Sequence, residues 1–370
     1  MSTQISSEDL GKRLLSLDMM RGVIMFLLMV EAAGLYDVLY KDPYFVSIHA
    51  ITEQFHHHPW NGLRFWDLIQ PAFMFMSGTA LAYSVSRMTE KGISKNIIRQ
   101  KIFKRSGWLF FWGVMSYAVK QDGLAFELWN VLTQLSFTLL LSYLIFSWDY
   151  KKQILFSIGI LLVTECLYRF LHIPGFDQSY TDQHNVGNYI DLLLMGKINS
   201  GGWVAINCLP TSVHTIAGAL VGKLLMSGTK DKLKALLIWG GITLIAGYLL
   251  DFTGVTPIIK RIATSSFTLA SLGWCLLILS AFYYAIDVKG KKGGLHFFTI
   301  IGMNSIFIYL FFEIVGARWF NGYITAIGGG LMNFVQLSDP WKTIICSIAI
   351  IILEWQLCHF LFKKKIFFRI

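Results

Sequence analysis

The run His56-His57-His58-Pro59-Trp60-Asn61-Gly62-Leu63-Arg64-Phe65-Trp66-Asp67-Leu68-Ile69-Gln70-Pro71 opens directly into a long, largely apolar segment, Ala72 to Ser86, with Gly78 near its middle. The first part is a polar loop carrying three histidines, and the second has the character of a helix that avoids water. Such a loop at the mouth of an apolar helix reads as a reaction site on a hydrophobic scaffold, with the rest of the chain as the box around it. Composition agrees. Over 370 residues, 55% hydrophobic and 15% charged positions leave too little polar surface to cover a water-soluble globule. The expectation is an integral membrane protein whose first partner is the lipid bilayer.

A bilayer core is crossed by about 20 mostly apolar residues, and only helices or closed barrels satisfy the backbone there. The apolar runs are continuous and do not alternate, so the expected fold is all-α: one polytopic membrane bundle over residues 1–370 with about ten transmembrane helices. They fall near 21–40, 67–87, 102–120, 128–148, 153–172, 203–226, 235–251, 265–287, 297–316 and 341–362. Residues 317–340, with Gly328-Gly329-Gly330, are expected to form a re-entrant or surface piece. The loop at 173–202 is long for a connection. It holds Tyr180, Asp182, His184, Asn185, Asn188 and Asp191, residue types that bind sugar hydroxyls and also suit a solvated outer loop.

Lysine and arginine concentrate in alternate connections, which marks the cytoplasmic side. The rich ones hold Lys12, Arg13 and Arg21, the stretch Arg87 to Arg105, Lys151 and Lys152, Lys223 to Lys234, Lys289 to Lys292, and Lys363 to Arg369. The poor ones hold Lys41, Arg64, Lys120, Arg169, Lys197, Lys260, Arg261, Arg318 and Lys342. Both termini are therefore expected in the cytoplasm of a cell (inner) membrane, with the histidine loop facing outward. Anionic lipid accounts for the net charge of +10, so no nucleic-acid partner is expected. No small-residue cleavage pattern follows the first apolar run, which reads as a retained helix. The cysteines (Cys166, Cys208, Cys275, Cys346 and Cys358) lie in or beside apolar runs without paired short spacings, suggesting neither disulfides nor zinc.

Ionisable residues inside spans are costly and become functional candidates. Glu31, in the middle of the first expected helix beside Ala33 and Gly34, leads these, ahead of Glu165, Glu313 and Glu354. Three consecutive histidines cannot all converge on one ion, and no carboxylate lies at helical spacing within the run, so no metal is expected. An imidazole with an ordinary pKa of about 6.5 suits proton exchange near neutrality, which makes His57 a candidate base. Asp67 with Gln70 reads as an N-cap and capping box. That helix start would turn a partly positive end towards the histidines.

Several segments carry a resemblance. Ser16-Leu17-Asp18-Met19-Met20-Arg21-Gly22 resembles the S-x-D-x-x-R-G opening of the heparan-α-glucosaminide N-acetyltransferase family of membrane acetyltransferases. His57-His58-Pro59-Trp60-Asn61-Gly62-Leu63, with Asp67-Leu68 and Pro71, is similar to its H-x-x-W-N-G-L…D-L-x-x-P segment, which Phe73, Phe75 and Gly78 continue. Tyr189-Ile190-Asp191 with Gly196, Asp287-Val288-Lys289-Gly290, Gly302-Met303-Asn304-Ser305-Ile306 and the ending Lys364 to Ile370 follow the family pattern in order. The resemblance implies a bacterial-type member without the luminal domain that precedes the first helix of the lysosomal protein. In two places the chain departs from the family. Glu31 replaces an active-site asparagine, and Val131-Leu132-Thr133-Gln134 lacks the arginine of V-L-Q-R.

What the resemblance implies is acetyl transfer from cytosolic acetyl-CoA to the amine of a terminal glucosamine on a heparin- or heparan-type saccharide, the chemistry of glycosaminoglycan degradation. The histidine three residues before the tryptophan, here His57, is the family's catalytic one, with His58 as its alternative in register. Glu31 is expected to orient the ring or bind the substrate ammonium, and Asn61 or a helix-start N–H to stabilise the oxyanion. Asn304 and Ser305 are candidates for lining the cofactor channel, and Arg21 with the basic loop after the second helix for holding the CoA phosphates. A homodimer stays open. Two other readings stand beside this one: an O-acetyltransferase of envelope polysaccharide, and a secondary transporter using Glu31 as an ion site, although no internal repeat is visible.

Overall fold

The computed structural model describes residues 14–120 and 123–368. Lys12, Arg13, Arg369 and Ile370 lie outside the described residues. Apart from a two-residue strand pair, β1 (Val119–Lys120) against β2 (Gly123–Leu124), the regular elements are helical. They are α1 (Leu15–Ala32), α2 (Leu35–Lys41), α3 (Ile69–Glu90), α4 (Lys95–Ala118), α5 (Val131–Leu144), α6 (Tyr150–Phe170) and α7 (Val186–Met195), then α8 (Cys208–Met226), α9 (Lys232–Phe252), α10 (Ser265–Phe282), α11 (Leu295–Met303) and α12 (Ser305–Leu310). A π-helical stretch, Phe311–Phe320, leads into α13 (Asn321–Asn333), and α14 (Asp339–Lys363) closes the described chain. Several short single turns of helix fill the connections. The chain divides into two compact units, residues 14–56 with 279–368 and residues 57–278.

Among the described residues, 6 helices are long and apolar enough to cross a membrane: Phe65–Glu90, Tyr150–Phe170, Ala205–Met226, Lys232–Phe252, Ser265–Val288 and Asp339–Lys363. Two further pairs qualify only when taken together across a bend, α1 with α2 at 60° and α11 with Ser305–Asn333 at 71°, which gives up to 8. The expected ten shrink for physical reasons. Helix α5 has 14 residues, which at 1.5 Å each is about 21 Å, short of the ~30 Å core. Helix α4 has 24 residues but spends its first half on Lys95, Arg99, Lys101, Lys104 and Arg105.

One other expectation is corrected. The first expected helix breaks at Gly34, which takes φ 78°, a left-handed value glycine reaches without cost. Glu31 therefore stands one residue from the end of α1, exposed, and not at mid-helix. Residues 317–333, expected as re-entrant or surface chain, are helical as part of Ser305–Asn333, which with α11 forms a pair bent by 71°, a broken span or a re-entrant loop.

In the unit of residues 57–278, α3 and α8 pack backbone to backbone. A Cβ on Gly78 would lie 1.9 Å from the Thr215 carbonyl oxygen, and one on Gly218 would lie 2.0 Å from that of Phe75. Small residues at such a seam let helices approach where lipid supplies no hydrophobic drive. This seam fixes α3, whose leading turn carries Asp67.

In the other unit the separated family motifs meet. The Asp287 carboxylate accepts the N–H groups of Leu15 (3.3 Å) and Ser16 (3.2 Å), satisfying orphan donors at the start of α1. Gly22 faces the Phe298 backbone on α11, where a Cβ would come within 2.0 Å of the carbonyl oxygen.

Candidate active site

From His57 onward the histidine loop belongs to the unit of residues 57–278, and it is laced to the loop between α9 and α10. The Gly62 N–H donates to the Ile258 carbonyl at 2.8 Å, and Asn61 pairs with Ile259 as an isolated β-bridge. Gly62 needs to be glycine. Its φ is 147°, and a Cβ would sit 2.6 Å from Nε2 of His58. The Trp60 indole donates to the Tyr180 carbonyl at 2.7 Å.

The α9–α10 loop is itself held from several directions. Asp251 accepts the Ile258 N–H at 2.8 Å, and the hydroxyls of Thr264 and Ser266 both donate to the Pro257 carbonyl at 2.7 Å. Ile258, Ile259, Ile262 and Ala263 are buried in two apolar clusters that also take in Val204, Val186 and Phe267. Glu165 on α6 accepts from Arg169 at 2.7 Å, from Thr256 at 2.8 Å, from Ser265 at 3.2 Å and from the Tyr180 hydroxyl. Its role is to fasten this region.

The fastened loop delivers Lys260, whose side chain is only 6% exposed. Three groups then converge on one ring nitrogen. Nδ1 of His57 lies 3.0 Å from Oδ1 of Asp67 and 3.0 Å from Nζ of Lys260, while that Nζ is 3.6 Å from the same Asp67 oxygen. Trp203 walls the corner, its ring edge-on to the imidazole at 5.6 Å and its face 5.3 Å from the Lys260 ammonium. The other Asp67 oxygen accepts the backbone N–H groups of Arg64 (2.9 Å) and His58 (3.2 Å). The Arg64 guanidinium donates to the His57 carbonyl at 3.0 Å. The expected capping role of Asp67 changes accordingly. It is the third residue of the turn Phe65–Leu68 and reaches back to Arg64, while Gln70 turns away to the Gln134 side chain.

This geometry sets the chemistry of the ring. In the tautomer whose Nδ1–H donates to Asp67, Nε2 keeps its lone pair and can accept a proton or an acyl group; in the other, Lys260 donates to Nδ1 and the ring proton sits on Nε2. The His57 side chain is 37% exposed, yet its immediate surroundings are protein. Burial first, then the Lys260 ammonium, pushes its pKa down from 6.5 to about 4, against the hydrogen bond and charge of Asp67. The ring rests neutral through the physiological range.

The remaining sequence-selected residues fall as follows. Asn61 is exposed beside the histidines, its backbone engaged with Ile259. Glu31, Arg21, Asn304 and Ser305 belong to the other unit. There Arg21 lies 3.7 Å from Asp18 on its own helix. Asn304 is buried, its amide donating to the Ile366 carbonyl and its oxygen accepting the Phe368 N–H, both at 3.1 Å, so it ties down the chain end. In the 173–202 loop, Asn185, Asn188 and Asp191 are buried. Asn185 caps α7, and Asp191 accepts from the Trp129 indole (2.8 Å) and the Ala205 N–H (2.9 Å), so they build structure and do not face a sugar. No group of metal ligands is present among the described residues.

Sequence reading missed Lys260 and Trp203. The one available signal was a cation set between isoleucines, Ile259-Lys260-Arg261-Ile262, in a connection otherwise poor in charge.

No protein-family model matches the chain. Two curated proteins are similar to it, both named heparan-alpha-glucosaminide N-acetyltransferase. The Mus musculus protein is 26% identical over 85% of this chain and 56% of its own length. The Homo sapiens protein is 24% identical over 98% of this chain and 60% of its own. The chain thus spans a little over half the length of these relatives. Over most of its length, then, this chain is distantly similar to heparan-alpha-glucosaminide N-acetyltransferases.

Proposed function

We propose that this chain is a transmembrane N-acetyltransferase that moves acetyl from cytosolic acetyl-CoA to the amine of a terminal glucosamine, on a heparin- or heparan-type saccharide, at the exoplasmic face. The observation that carries this reading is the His57–Asp67 pair: a neutral imidazole held through Nδ1 by a buried carboxylate, with Nε2 left to react, in a chain related to N-acetyltransferases.

The thioester is already reactive, so the protein's tasks are to place the amine and to manage one proton. A sugar amine near neutrality is partly ammonium and reacts only through its lone pair. In direct transfer, the amine nitrogen bonds to the acetyl carbon, the carbon–sulfur bond breaks and His57 Nε2 takes the amine proton, which passes on to the departing thiolate. In the carrier route Nε2 itself first bonds to the acetyl carbon as the carbon–sulfur bond breaks and the thiolate leaves; the amine nitrogen then bonds to that carbon, the Nε2–carbon bond breaks, and the amine proton passes to the thiolate. Asp67 serves both routes by holding the proton on Nδ1. The Asn61 amide or the N–H groups at the start of α3 would stabilise the oxyanion. The exposed cations Lys91, Lys95 and Arg99 around the α3–α4 turn suit the CoA phosphates.

The test is purified protein with radiolabelled acetyl-CoA and either glucosamine or N-acetylglucosamine. Label on glucosamine alone, abolished by His57→Ala in a protein that still folds and binds CoA, is the expected result. Label on both sugars would point to O-acetylation, and full activity in His57→Ala would end the assignment.

A further inference from the structure

We propose that Lys260 is a positioning residue of this site: its charge cancels that of Asp67, so that His57 rests as a neutral ring and not as an imidazolium locked to the carboxylate. The inference deepens the proposed function and rests on the role given there to His57.

A buried carboxylate 3.0 Å from an imidazole is ordinarily a trap. The opposite charge favours the doubly protonated ring, and an opposite charge at that distance shifts such a group by about 1 to 3 pH units. A ring so trapped has no lone pair on Nε2 and can act neither as base nor as acyl carrier. Here the trap is disarmed by a cation at the same corner. The Nζ of Lys260 sits 3.0 Å from Nδ1 and 3.6 Å from Oδ1 of Asp67. An imidazolium there would face the ammonium across hydrogen-bond distance with little intervening water, since Lys260 and Asp67 are 6% and 1% exposed. The indole face of Trp203 at 5.3 Å favours the ammonium form of Lys260. The other charged groups facing His57 are Arg64, whose guanidinium bonds the His57 carbonyl, and Arg261, which follows Lys260 in the same loop. Both are cationic and act in the same direction. Asp67 is the one carboxylate among these groups, and Lys260 is the cation in ion-pair contact with it at 3.6 Å and within hydrogen-bond distance of the ring at 3.0 Å.

The loop that supplies Lys260 is built to keep it there. Its isoleucines are buried on either side, and its turn is closed by the Ala263 N–H on the Lys260 carbonyl at 2.9 Å. Ala263 accepts a left-handed φ of 51° to make that turn, an uncommon conformation for a residue with a Cβ. A lysine so fastened exchanges with solvent far less than a surface lysine.

The experiment reads His57 directly. Diethylpyrocarbonate acylates only unprotonated imidazole, so the rate at which purified protein is labelled at His57, resolved from His56 and His58 by peptide fragmentation, follows its protonation across pH. In the unmodified chain, labelling is expected to persist well below pH 6.5, with its midpoint near 4. Lys260→Met should move that midpoint upward by about 2 units or more, because Asp67 then acts unopposed. Lys260→Arg should keep the acid-side labelling, and Asp67→Asn should not raise the midpoint. A Lys260→Met profile superimposed on the unmodified one overturns the inference. Should that variant fail to fold, Lys260→Gln, which keeps a polar side chain at the corner without its charge, is expected to raise the midpoint likewise, and an unaltered midpoint near 4 there overturns it equally. Labelling needs no acetyl transfer. The shift without transfer activity would sink the proposed function and leave this inference standing; transfer activity without the shift would do the reverse.

Discussion

Replacing Asp67 by asparagine changes one atom and, by the geometry, disables the site in two separable ways. The carboxylate serves His57, Lys260 and two backbone N–H groups at once. An amide has a single acceptor oxygen. If it faces the N–H groups of Arg64 and His58, its NH2 faces the imidazole and the ammonium. It then donates to Nδ1, which forces the ring proton onto Nε2 and removes the lone pair that reacts. General-base catalysis is worth about 10²- to 10⁴-fold, so the rate should fall by that factor, about 3 to 5 kcal/mol of barrier. Stability should fall as well. Lys260 loses its carboxylate at 6% exposure, and taking one partner from a buried ion pair costs about 3 to 5 kcal/mol. The assay is acetyl transfer to glucosamine together with thermal unfolding in detergent, measured for Asp67→Asn, Lys260→Met and both combined. The double variant should regain much of the lost melting temperature, since the stranded charge is gone, but none of the rate. An Asp67→Asn protein with unchanged rate and unchanged melting temperature would refute both the tautomer argument and the buried-pair argument.

The other expectations follow from packing and from the departure at Glu31. Gly78→Ala puts a methyl 1.9 Å from the Thr215 carbonyl oxygen, so α3 and α8 must separate; overpacking of this kind costs about 1 to 3 kcal/mol, read as a lowered melting temperature, and an unchanged one would show that the seam can open freely. Glu31→Gln should slow acetyl transfer far more than it weakens CoA binding, and an unchanged rate would return Glu31 to a structural role at the break after α1.

Hydrophobic periodicity and length made the helical membrane architecture legible, because each helix is specified by its own run of residues. What they could not reveal were breaks within a run. The helix breaks from α1 to α2 at Gly34, yet Gly328-Gly329-Gly330 stays helical, so glycine by itself does not mark a break. The count of spans suffered for the same reason, since α4 and α5 are helical without being both long and apolar enough to cross. Family motifs selected His57 and Asp67, ten positions apart in one loop, and the structure joins them. The motif residues Asp191, Asp287 and Asn304 proved to be buried or terminal hydrogen-bonding anchors, a distinction that spacing does not carry.

By itself, then, the sequence determined that the chain is an apolar helical protein with a polar histidine loop, since water's exclusion from non-polar side chains is written residue by residue. Only the tertiary structure decided what surrounds the histidine. Lys260 stands 203 residues from His57 along the chain and reaches it because buried isoleucines, a threonine and a serine fold its loop back. Electrostatic energy depends on distance in space, and no local pattern in the sequence encodes a meeting of that kind.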